Sequence, residues 1–196
     1  MLTNLNKYRI VLGSNSPRRK ELLAGLDIKF EVEVIPGIDE SYPDNLSSEE
    51  IAMYIAREKS AAYLKRMTDD ELLITADTIV VTYGEKTQIL GKPADREDAI
   101  AMLRFLSDKV HEVVTGVCLT TKEKTVAFAV SSAVSFAPLD DDEIIYYVDK
   151  YRPFDKAGSY GIQEWIGYVG VEAINGSFYN VMGLPVQKLY QELKKF

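Results

Sequence analysis

The chain has 196 residues, 46% of them hydrophobic and 27% charged, with a formal net charge of −7. That length supports a sizeable core in a single domain spanning 1–196, and the acidic balance argues against nucleic-acid or acidic-membrane partners. One cysteine (Cys118) and one histidine (His111) exclude a disulfide framework and a Cys/His zinc site of the usual spacing, so any resident metal must be a hard one held by carboxylates.

From the N-terminus, Tyr8 to Leu12 is a short apolar run that predicts a strand. Ser16 is a good helix N-cap and Pro17 suits the first helical position, where a missing N–H costs nothing. Leu22, Leu23 and Leu26 share the apolar face of that helix, and Gly25 helps to end it. Phe30 to Ile35 predicts a second strand, followed by a loop with Pro36, Gly37, Asp39, Glu40 and Pro43. Ser47 and Glu50 form a capping box that opens a helix with Ile51, Tyr54, Ile55 and Ala62 on its buried side. Leu72 to Ala76 predicts a strand ending at Asp77-Thr78, with Ile79 to Thr82 continuing extended and Gly84-Glu85 turning into Gln88 to Leu90.

Asp95 caps a helix with Ala99, Ile100, Leu103 and Leu106 inward. Val110 to Thr121 and Thr125 to Phe136 predict two long strands around a turn at Lys122-Glu123-Lys124. Asp140 opens another helix, and its acidic run is placed where the helix macrodipole favours anions. An irregular loop from Tyr151 to Gln163 precedes a predicted strand from Ile166 to Ile174, an Asn175-Gly176 turn, and a C-terminal helix opened by Pro185. The expected fold is α/β: a long, mixed, twisted sheet flanked by helices, with two lobes around a central cleft. No apolar run approaches the roughly 20 residues that span a bilayer. Met1 to Tyr8 lacks a signal-peptide core, so a cytoplasmic location is expected.

Polar residues gather at the ends of these elements, where function tends to sit. Ser14 to Arg19 sets hydroxyls, guanidinium forks and backbone N–H groups at a helix start, a combination suited to phosphate. Ala76-Asp77-Thr78 offers a carboxylate at a strand end, Gly91-Lys92-Pro93 a cation, and Lys156 to Gln163 a glycine-bearing loop with a cation and an amide. Each has a structural reading when taken singly: a solvated helix start, a turn, an exposed lysine, an ordinary loop. No G-x-S-x-G elbow, G-x-x-x-x-G-K-[ST] loop or G-x-G-x-x-G turn occurs.

In their order and spacing, the pieces resemble one family, the Maf nucleotide pyrophosphatases, relatives of the inosine-triphosphate pyrophosphatase fold. The resemblance runs over Ser14 to Leu23, the helix around Lys59, Ala76-Asp77-Thr78 and Gly91-Lys92-Pro93. It continues through Thr115-Gly116-Val117, Lys156 to Gln163 and Val181 to Pro185. It implies hydrolysis of a nucleoside triphosphate to the monophosphate and pyrophosphate with a divalent cation, Mg2+ or Mn2+. Asp77 takes the family's proton-acceptor position, where a carboxylate near a metal can position water and accept its proton. Ser14, Arg19, Lys59 and Lys92 match phosphate-gripping positions, and the metal falls to Asp77 with Glu40, Asp39 being the alternative to Glu40.

Arg18, Thr78 and Gln163 match the substrate-selecting set of the branch acting on dTTP, UTP and modified pyrimidine triphosphates. A glutamine amide can pair with the O4 and N3–H of thymine or uracil. Activity on 7-methyl-GTP or other non-standard purine nucleotides, or a nucleotide-binding role in septum formation, is the alternative. The resemblance leaves a homodimer open.

Overall fold

In chain order the strands are β1 (Arg9–Leu12), β2 (Glu31–Val32), β3 (Glu71–Thr82), β4 (Gln88–Leu90), β5 (Val110–Thr120), β6 (Thr125–Phe136) and β7 (Val171–Asn175). The α-helices are α1 (Pro17–Ala24), α2 (Ser48–Ala61), α3 (Arg96–Leu106), α4 (Asp141–Tyr151), α5 (Trp165–Gly170), α6 (Phe178–Met182) and α7 (Val186–Leu193). A computed structural model describes residues 2–196 and joins the strands in one mixed seven-stranded sheet, order β2-β1-β3-β5-β6-β7, with β4 on β3. Among the described residues, no helix is long and apolar enough to cross a membrane. The chain divides into two compact units, one of residues 1–77, 115–130 and 183–196, the other of residues 78–114 and 131–182.

In the first unit β1 runs parallel to both β2 and β3, with Val11 opposite Glu31 and Ile10 opposite Leu72. Parallel neighbours need crossovers, and α1 and α2 supply them. Ser16 caps α1 by accepting the Arg19 backbone N–H, and the Ser47–Glu50 capping box opens α2 as expected. The apolar face of α2 is Ile51, Ala52, Ile55 and Ala56, all buried. Its close approach to β5 requires Gly116, where a Cβ would lie 2.2 Å from the Ala52 carbonyl.

In the second unit β3 folds back on β4, Val80 opposite Leu90, and β6 pairs antiparallel with β7, Val134 opposite Ile174. Helices α3 and α4 pack together. Their inward faces are Ala99, Ile100, Leu103 and Leu106 on one and Ile144, Tyr147 and Val148 on the other. Arg104 with Asp141 and Arg96 with Asp149 tie the two at the surface.

Several sequence expectations need correction. Only Glu31–Val32 of the expected strand Phe30 to Ile35 forms a ladder, because the Tyr63 hydroxyl donates to the Glu33 carbonyl and accepts the Ile35 N–H. Instead of ending near Asp77, β3 is continuous to Thr82. The stretch from Ile166 is not all strand: Trp165–Gly170 is helical and pairing starts at Val171. Gly25 does end α1 as expected, at a right-handed φ of −63°, and Asp27 beyond it takes a left-handed φ of 55°. Ala62 is exposed rather than buried.

Candidate active site

The chemistry of the first unit centres on β3. Pairing with β1 runs through Ile74 and pairing with β4 begins at Val80, and Asp77 falls in the interval. Its carboxylate is largely buried, and Lys59 Nζ stands 2.6 Å from Oδ1. The same Nζ is 2.8 Å from Glu40 Oε1. Lys59 lies in the last turn of α2, where a cation also suits the macrodipole. A strand, a helix end and a loop thus bring two acids onto one ammonium.

Glu40 rather than Asp39 makes this contact. Asp39 accepts the backbone N–H and the hydroxyl of Ser41, at 2.9 and 2.8 Å. These bonds hold its carboxyl below the usual range.

Arg19 flanks the same stretch of β3. Its Nη1 donates to the Ala76 carbonyl and its Nε to the Gly183 carbonyl, both at 2.8 Å. Burial draws its guanidinium below the ordinary value, while the Asp77 and Glu40 carboxylates pull it back up and Arg18 pushes it down. Ser14 is buried, and its Oγ accepts the Ser16 N–H at 3.2 Å, shaping the turn into α1. Arg18, on α1, is half-buried. Ser14, Arg18, Arg19, Glu40, Lys59 and Asp77 therefore all belong to the first unit.

The second unit carries Thr78, Lys92 and Gln163. Thr78 is half-buried on β3, and Lys92 is exposed beyond β4. Gly91 accepts the Gly158 N–H at 3.0 Å, which pins the Gly91-Lys92-Pro93 turn to the loop that carries Gln163. That loop is held from within. Lys156, buried, pairs with Glu164 at 3.1 Å and with Asp155 at 2.8 Å. The Tyr147 hydroxyl donates to the Glu164 carboxylate and accepts the Gly161 N–H. Gln163 Oε1 is buried with no hydrogen-bond partner among the described residues.

Sequence reasoning did not assign a role to Tyr147, Glu164 or the Gly183 carbonyl. The signal for Tyr147 was a hydroxyl on the apolar face of α4; for Gly183 it was the glycine itself, at φ 113°.

Two carboxylates are suitable hard donors for Mg2+ or Mn2+, which are commonly held by one or two carboxylates together with substrate phosphates. Asp77 and Glu40 fit that arrangement, while no group of three or more His, Cys, Asp or Glu that could hold a metal alone occurs among the described residues.

Residues 9–196 match a family model described as Maf-like protein. A dTTP/UTP pyrophosphatase of Parabacteroides distasonis is 70% identical over 196 residues, covering 100% of both chains. One of Bacteroides fragilis is 63% identical over 195 residues, again with 100% of each chain covered. A solved HAM1 protein from Coxiella burnetii overlays with a TM-score of 0.44 at 15% identity, covering 96% of this chain and 100% of that one. With a family match over nearly its whole length and relatives this similar, the chain belongs to the Maf family.

Proposed function

We propose that this protein is a nucleoside triphosphate pyrophosphatase that hydrolyses dTTP and UTP to the monophosphate and pyrophosphate. The observation that carries the reading is the largely buried Asp77 carboxylate, held with Glu40 on Lys59 in the unit that also contains Ser14 and Arg19. Asp77 is suited to accept a proton from the water that attacks the α-phosphorus. Ser14, Arg19, Lys59 and Lys92 serve the phosphates, and the divalent cation falls to Asp77 and Glu40. The printed names of the Parabacteroides and Bacteroides relatives support the same substrates.

Base selection is assigned to Arg18, Thr78 and Gln163. The orphaned Gln163 Oε1 supports this, because a buried acceptor without a partner suits an imide N–H such as N3–H of thymine or uracil. Cytosine offers an acceptor there, so it leaves the amide oxygen unpaired.

The test is a panel of dTTP, UTP, CTP, GTP and 7-methyl-GTP with Mg2+ or Mn2+, scored by pyrophosphate release. Turnover of dTTP and UTP well above the others is expected; comparable turnover of GTP overturns the pyrimidine reading. In ¹⁸O water the label should enter the monophosphate, and Asp77→Asn should lower the rate by about 100-fold or more while sparing much of the nucleotide binding measured without a divalent cation.

A further inference from the structure

Lys59 stands between the two carboxylates assigned above to a divalent cation, 2.6 Å from Asp77 Oδ1 and 2.8 Å from Glu40 Oε1. Its single positive charge offsets half of the charge of the two acids and draws them together, a place that a bound metal would also take. The two cations compete for the same oxygens, because like charges at that separation in a partly water-excluded site repel strongly. The side chain of Lys59 is only 14% exposed and that of Asp77 12%, so bulk water screens their pairing weakly. Glu40 lies on a loop with its side chain 47% exposed.

We infer that Lys59 is a placeholder cation: it holds the Asp77–Glu40 pair in the unloaded protein, keeps a lone divalent cation out, and yields the pair when substrate phosphates accept its ammonium. The inference rests on the metal reading of Asp77 and Glu40, and it makes metal and nucleotide bind as a set. The flexible four-carbon stem lets Nζ move from carboxylate to phosphate while α2 keeps its position. By linkage, whatever factor the nucleotide adds to metal affinity, the metal adds to nucleotide affinity. A metal ion alone meets a pair whose oxygens already hold an ammonium and whose charge is half offset, whereas a metal ion arriving with a nucleotide meets two carboxylates released together.

The experiment is titration of the unloaded protein with Mn2+, free Mn2+ being read by electron paramagnetic resonance. Wild type is expected to bind weakly, and Lys59→Met and Lys59→Gln at least about tenfold more tightly, the lower part of the usual range for coupled sites. Adding Asp77→Asn to Lys59→Met should abolish that gain. Either single variant binding no tighter than wild type overturns the inference.

A second arm uses wild type alone, ¹⁵N-labelled at lysine. The Lys59 ammonium signal, slowed in exchange by its two ion pairs, should disappear as Mg2+ saturates the site. Its persistence at saturation overturns the inference as well. Pyrophosphate release by wild type reports separately on the proposed function. An active enzyme whose Lys59→Met variant keeps wild-type Mn2+ affinity refutes the placeholder alone.

Discussion

Arg19 directs two of its donors at backbone carbonyls, Ala76 on one side and Gly183 on the other. The sequence resemblance assigns it to phosphate, yet these bonds tie α1 and the Gly183 turn to the residue just before Asp77. A guanidinium fork reaches two acceptors at a fixed angle; a lysine ammonium reaches them as a point charge and not as a fork. Arg19→Lys is therefore expected to lower kcat by about 10- to 100-fold through misplacement of Asp77, with a smaller change in KM. Steady-state kinetics on dTTP decide it, since a raised KM with kcat preserved is the signature of a group that only binds the ground-state phosphates.

At the scale of elements, the loop carrying Gln163 is organised around a missing side chain. A Cβ at Gly161 would lie 3.0 Å from Gln163 Nε2, from Glu164 Cδ and from Lys156 Cε. Gly161→Ala must therefore displace the amide, the carboxylate held by Tyr147, or the lysine paired with it. About a tenfold loss in kcat/KM for UTP is expected, with the preference over CTP narrowed and the melting temperature little changed. Parallel kinetics on both nucleotides and a thermal melt check it. The glycines and the lysine of this loop are visible in the sequence, but their partner Tyr147 is not. It sits on α4, where a tyrosine beside Ile144 and Val148 reads simply as core.

The helices with local signals were legible for the same reason that the loop's supports were not. Ser47–Glu50 and Asp95 are caps whose partners lie three residues away, and the Ala99, Ile100, Leu103, Leu106 stripe sits on one helical face. Non-local partners decided the misreadings. Gly167 lets α5 fold against Ile162, where a Cβ would meet the carbonyl oxygen at 1.7 Å, so a β-branched stretch became helix. Asp77-Thr78 looked like punctuation, and its place within a continuous β3 depends on sheet neighbours that no local pattern reveals.

For the whole molecule, the clearest consequence concerns stability against acid. His111 is 1% exposed, its Nε2 lies 2.7 Å from the Tyr160 hydroxyl, and its Nδ1 has no hydrogen-bond partner among the described residues. Phe136 and Tyr160 meet its ring edge-to-face, at centroid distances of 4.9 and 5.4 Å, so no carboxylate contact among these favours a charged imidazole. Burial pushes its pKa down to about 4 from an ordinary 6.5. The unfolded chain therefore takes up a proton below pH 6.5 that the folded chain refuses until about pH 4. Stability is unaffected by this group above pH 6.5, and between there and pH 4 it falls by about 1.4 kcal/mol per pH unit, to a total of about 3 kcal/mol. The carboxylates that hydrogen bonds depress, Asp39, Asp70, Asp141, Asp149 and Glu192 among them, act at lower pH, because their loss begins only when the unfolded acids protonate. Urea unfolding at intervals from pH 7.5 to 4.5 should show this slope in wild type. His111→Phe, which cannot titrate, should be less stable at pH 7.5 because Tyr160 loses its partner, and flatter between pH 6.5 and 5. Parallel slopes for the two proteins would show that protonation of His111 does not drive the acid loss.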